Sequence, residues 1–202
     1  MEDRTTNLPP AAAWVRDCAA AQAVVLMLLF GALTALSAQV TIWKEPVPFT
    51  SQVLLVLLSG ALLGPRMGAA SQLAYLGFGL MGAPVFAGGR AGLTALLGPT
   101  AGYLVAFPLA AWLVGWLTMS RRVRFARALA ANLAAVALIL ALGSLWLGLY
   151  AWLTGLAGGT AGLGGVLAYG YAQGAAPFIA LDAGKAVVAA LIAWRALRQR
   201  SG

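Results

Sequence analysis

The chain has 202 residues, 62% of them hydrophobic and only 9% charged, more apolar surface than a soluble domain of this size can hide. Its net charge of +8 does not point to nucleic acid, because the arginines sit in short clusters between apolar runs. The lack of histidine excludes a His-ligated metal and a Ser-His-Asp triad, and the single Cys18 excludes an internal disulfide or a cysteine metal site.

The expected fold is all-α, a polytopic integral membrane protein in which residues 1–202 form one membrane domain with six transmembrane helices. Residues 1–17 are a polar leader with two prolines. The run 19–38 is uncharged and, at ~20 residues, long enough to span hydrocarbon. A signal peptide competes, with Arg16 ahead of the run, but the apolar part exceeds a typical signal core. Within it, Gly31 and Ala35, and Thr34 and Ala38, are small residues at four-residue spacing, which lets helices approach closely.

Pro46 and Pro48 force a loop before the second span, 50–63, whose first turn (Thr50, Ser51, Gln52) is polar. Gly64-Pro65-Arg66 reads as a tight turn. The third span, 67–83, carries Gln72 and Tyr75 and runs into a glycine-rich loop with Arg90 near its tip. Gly98-Pro99-Thr100 marks a turn within or before the fourth span, 97–119, which continues past Pro108. Arg121, Arg122, Arg124 and Arg127 precede the fifth span, 128–152. The region 155–174, dense in glycine, reads as a compact surface or partly inserted loop. The sixth span, 178–194, follows Pro177 and is closed by Arg195, Arg198 and Arg200.

Six spans put every basic residue except Lys44, Arg90 and Lys185 on one side, which the positive-inside rule makes cytoplasmic. Both termini are then cytoplasmic, in the plasma (inner) membrane. The Gln52 turn, the Arg90 loop, the 155–174 region and the start of the last helix share the outer side. Asp182 and Lys185 lie three residues apart on one helical face and are the ionisable groups within that apolar run. Such groups inside a span usually face a cavity, a partner or a ligand; the alternative is a self-neutralising pair that plugs the bundle.

This outer end has the chemistry of a small-molecule pocket. Arg90 and Lys185 can hold an anion such as a carboxylate. Asp182 and Gln52 can pair with N–H and C=O groups of a polar ring. Phe49, Tyr75, Phe86 and Tyr103 can supply apolar or stacking walls. The competing readings are ordinary packing for the aromatics, backbone satisfaction for Gln52 and Gln72, and interfacial anchoring for Arg90.

The segments Pro48-Phe-Thr-Ser-Gln52, Leu63-Gly-Pro-Arg66, Tyr75 through Pro84-Val-Phe-Ala87, Leu97-Gly-Pro-Thr-Ala-Gly-Tyr103 and Asp182-Ala-Gly-Lys185 resemble the BioY family. These are the biotin-binding S subunits of energy-coupling factor (ECF) transporters. The resemblance covers nearly the whole chain. It implies capture of biotin from outside and docking onto a T subunit driven by two ATPases. It places Gln52, Tyr75, Arg90, Asp182 and Lys185 at or near the ligand, and the T subunit against the small-residue face Gly31, Ala35 and Ala38. Biotin is implied as a transported ligand, with no cofactor. The chain has no Gly-x-x-x-x-Gly-Lys-Ser/Thr loop, so ATP hydrolysis is left to partners. An S subunit for another vitamin, and a non-transporting scaffold or channel, are the alternatives. An enzyme is not expected, since there is no histidine and no paired-carboxylate site.

Overall fold

Uncharged alanine, valine and leucine fill Ala20–Gln39, which forms helix α1. The computed structural model describes residues 20–43, 46–119, 123–156 and 162–198. The polar leader, Cys18, Lys44, Arg121, Arg122, Arg200 and part of the glycine-dense region lie outside the described residues.

After α1 the chain makes a short antiparallel hairpin, β1 (Thr41–Trp43) with β2 (Phe49–Thr50), where the sequence suggested only a loop. Helix α2 (Gln52–Leu63) and helix α3 (Pro65–Leu80) are joined by Gly64 alone. That one-residue link needs glycine, because Gly64 has φ 82°, and it gains from Pro65 at the first helical position. A short helix α4 (Gly92–Leu96) precedes α5 (Ala101–Leu117), and the long α6 covers Phe125–Leu153.

The region 155–174 differs from the expected loop. Its described part is a helix, α7 (Leu163–Gly170), that passes through a single π-helical turn, Tyr171–Ala175. It then bends by 53° into α8 (Ile179–Arg198). Glycine density there serves helix packing: a side chain on Gly148 would strike the Val166 carbonyl, and one on Gly170 the Ser144 carbonyl. Removing Cβ atoms lets α6 and α7 touch backbone to backbone.

Among the described residues, Ala21–Gln39 and Phe125–Leu153 are long and apolar enough to cross a membrane alone, and the bent α7–α8 pair makes a third. By length and composition alone, two or three crossings are counted among the described residues. The shorter α2, α3 and α5 owe their place to packing on one another and, for α5, on α6.

What is buried is also unlike a soluble core. Alanines fill the helix contacts (Ala106, Ala110 and Ala111 on α5; Ala128, Ala131 and Ala135 on α6; Ala186, Ala189, Ala190 and Ala193 on α8), while Val25, Leu36, Leu109, Leu145 and Leu191 point outward. Hydrocarbon solvates leucine as well as protein does, so close packing by small residues decides which face turns inward. Gln72, fully buried, adds a polar tie: its amide nitrogen lies 3.4 Å from the Thr34 hydroxyl, 3.2 Å from Ser59 and 3.2 Å from Ser71, joining α1, α2 and α3.

The small residues expected to form a docking face on α1 are used in part by the chain's own bundle. Gly31 and Ala38 are buried within the chain, and Gly31 lies against the Ser71 carbonyl and Tyr75 of α3. Ala35 is only partly exposed. Gly31 and Ala35 also line an open groove with Ala32, Pro84 and Val85, and the large outward residues of α1 are Val24, Val25, Leu28, Leu29, Leu33 and Leu36.

Candidate functional site

One end of the bundle gathers the arginines and the other a pocket. Arg127 donates through Nε to the Leu117 carbonyl at 2.6 Å, and Phe125 meets Trp194 edge-on at 6.1 Å. The ends of α5 and α8 and the start of α6 therefore lie together. Gly115 packs against Gly64 and Pro65, which adds the Arg66 turn to that end. About 24 Å of α8 separates Asp182 from Arg198 at 1.5 Å per residue, so the pocket lies at the far end.

Asp182 and Lys185 occupy the first turns of α8. The Lys185 ammonium donates to Asp182 Oδ1 at 2.7 Å and to the Thr50 carbonyl at 2.6 Å, and sits 4.0 Å from the Phe49 ring centroid. Phe49 in turn stacks on Phe178 at 6.2 Å. One lysine thus ties α8 to the β2 strand and fixes its own carboxylate partner. From the same Thr50 the hydroxyl donates to Gln52 Oε1 at 3.0 Å, and Gln52 Nε2 donates to the Tyr75 hydroxyl at 2.7 Å.

Arg90 is placed differently. Its loop closes by a bridge between Phe86 and Arg90, with Gly88 and Gly89 at φ 73° and 72°, a backbone that glycine alone adopts readily. Its guanidinium donates to the Ala87 carbonyl at 3.1 Å and to the Thr100 hydroxyl at 3.4 Å. Among the described residues Asp182 is the only acidic side chain, and Lys185 holds it. Arg90 therefore has no carboxylate partner among the described residues.

These groups surround one small cavity of about 60 Å³. Of the expected site residues, Phe49, Gln52, Phe86, Arg90, Tyr103, Asp182 and Lys185 line it. Tyr75 does not. It stands behind the wall, 99% buried, edge-on to Phe86 at 5.5 Å, and supports Gln52. Tyr103 lines the cavity and donates to the Gly174 carbonyl at 2.7 Å, which anchors the π-helical turn.

Sequence reasoning missed Thr50, Thr100 and Phe178. Thr50 acts through its backbone carbonyl, which no side-chain pattern reveals, whereas the Pro177-Phe178 pair ahead of an ionisable helix was a readable signal. Tyr75→Phe is expected to cost about 1–3 kcal/mol of stability, because it strands the buried Gln52 donor. Thermal unfolding in detergent checks this.

The model of the BioY family matches residues 6–202. The chain belongs to the BioY family. A biotin transporter BioY of Thermotoga maritima is 38% identical over 167 residues, covering 83% of this chain and 90% of that protein. One of Rhizobium etli is 36% identical over 172 residues, covering 84% and 89%. A probable biotin transporter BioY of Pyrococcus horikoshii is 47% identical over 95 residues, 47% of this chain and 59% of that one. That match, and a 49% identical one to a Lysinibacillus sphaericus protein covering 47% of its length, span only about half of each relative. In fold, this BioY-family chain is similar to the crystal structure of an S-component for biotin from an ECF-type ABC transporter. The TM-score is 0.71 at 24% identity, over 88% of this chain and 92% of that one. Like its family, it is a helical integral membrane protein.

Proposed function

We propose that this chain is the substrate-capture subunit for biotin, taking the vitamin into the outer pocket for import driven by partner ATPases. The observation that carries the reading is the split of charge within one cavity. At one end Asp182, Lys185 and Gln52 offer both donors and an acceptor, which suits a ureido ring with its N–H and C=O groups. At the other, Arg90 is a guanidinium free of any described carboxylate, which suits an acid tail. Val53, Phe107, Ile139 and Leu140 line the space with apolar surface for an aliphatic chain. Full-length similarity to biotin transporters supports the same ligand over another vitamin. A T subunit and ATPases are the partners that the similarity to an ECF S-component supports. They are needed because the chain has no nucleotide loop of its own. A scaffold or channel leaves the polar cavity without a purpose. The deciding measurement is calorimetric titration of the purified protein in detergent with biotin. Saturable binding at one site per chain is expected, and no heat above the dilution baseline would refute the reading.

The proposed orientation has six crossings, with α2, α3 and α5 as short ones, and both termini cytoplasmic. The gathering of Arg66, Arg124, Arg127, Arg195 and Arg198 at the end opposite the pocket supports it. After Cys18→Ser, Leu156→Cys is expected to react with a membrane-impermeant thiol reagent in intact cells, and Met119→Cys only after permeabilisation. The reverse pattern would invert the topology.

A further inference from the structure

Beside the pocket lies a second and larger cavity of about 1530 Å³, counting its open mouth. Thr41, Pro99, Leu147, Tyr150, Leu156 and Tyr169 bound it. Pro48, Ala87 and Arg90 line both spaces, so the two adjoin at these residues. Asp182, Lys185 and Gln52 line the inner one only. A ligand whose ring sits among those three and whose acid reaches Arg90 has its ring in the smaller space and its acid beside the larger one. Beyond its acid it meets open, partly polar space.

Resting on the biotin reading, we propose that the same site accepts biotin conjugated through its carboxyl group, as an amide carrying a small polar extension such as lysine. Joining the acid to an amine replaces a carboxylate by a neutral carbonyl and an N–H. The carbonyl oxygen still accepts from Arg90, and what is lost is the charge assistance. The extension occupies the outer cavity, where the tyrosines Tyr150 and Tyr169 and the Thr41 hydroxyl belong to the lining. In biotinyl-lysine the amino-acid carboxylate also offers Arg90 an anionic partner in place of the lost one. A pocket sealed behind the acid would instead reject every such conjugate by overlap.

Charge-assisted bonds are roughly twice as strong as neutral ones, so the conjugate is expected to bind within about tenfold of biotin. The experiment titrates the full chain in detergent with biotin and with biotinyl-lysine, for the wild type and for Thr41→Trp and Leu156→Trp. Both substitutions place bulk on the outer walls and leave the inner lining untouched. Each is expected to weaken the conjugate at least about tenfold more than it weakens biotin, as steric loss of one cavity requires. If biotin binds while the conjugate is weaker by about a hundredfold or more, the inference is overturned. It is also overturned if both tryptophan variants weaken the two ligands alike. Failure of biotin itself to bind is a separate result, which removes the functional reading and the inference together.

Discussion

Asp182→Asn and Lys185→Ala are each expected to weaken biotin binding by about a hundredfold or more. The two side chains are only 5% and 13% exposed and meet at 2.7 Å. Removing one partner of such a pair strands the other charge, at a cost of about 3–5 kcal/mol, and each 1.4 kcal/mol is about tenfold in affinity. Not all of that cost need fall on binding, because Lys185 also holds the Thr50 carbonyl and packs on Phe49. Lys185→Ala is therefore expected to loosen the β2 wall and lower thermal stability as well. Asp182→Asn keeps the shape of the side chain and isolates the charge. Calorimetry on both variants, with thermal unfolding alongside, separates the two contributions. Wild-type affinity in both would reduce the pair to a structural plug.

Gly60→Val is expected to be among the most damaging single changes outside the pocket. A Cβ at Gly60 would strike the Ala111 carbonyl of α5, and Gly68 of α3 already lies against the Gly60 backbone. These are backbone atoms, which cannot rotate away as a side chain end can. Overpacking of this kind costs about 1–3 kcal/mol or more. A melting point lower by about 5–10 °C follows from the usual scaling for a chain of this size. Gly77→Val on α3 is the control, since nothing lies within 4 Å of a Cβ there. Equal melting points for the two variants would show that the α2–α5 contact is not as tight as the distances indicate.

Much of the site was legible because its signals are local. An aspartate and a lysine three residues apart in an apolar run stand out against hydrocarbon whatever the rest of the chain does. Proline and glycine punctuated the chain at Gly64-Pro65 and at Gly88-Gly89, and the backbone there needs those residues. Tyr75 was misjudged for the opposite reason. Its type and position suit a pocket wall, but whether a ring faces a cavity or stands behind one depends on Phe86 and Gln52, which arrive from other segments.

The small residues of α1 carry the same lesson. Spacing reveals that Gly31, Ala35 and Ala38 allow close approach, but not which helix approaches. With lipid and protein equally apolar, hydropathy assigns no inward face, and contact with Ser71 and Tyr75 decided it. The 155–174 region looked too broken for a span because glycine lowers helix propensity. Close packing of Gly170 against the Ser144 carbonyl, and of the Val166 carbonyl against Gly148 of α6, offsets that preference in α7.

By itself, then, the sequence determined that this is a helical membrane protein, where its main apolar helices run, and which ionisable groups its pocket must contain. Those follow from hydrophobicity and charge, which each residue carries wherever it sits. Only the tertiary structure decided that Lys185 is spent on Asp182 and Thr50, that Arg90 is free of a described acid, and that Arg90 belongs to the lining of two neighbouring cavities. Those depend on backbone carbonyls and on distances between segments far apart in the chain. No pattern of residue types encodes either.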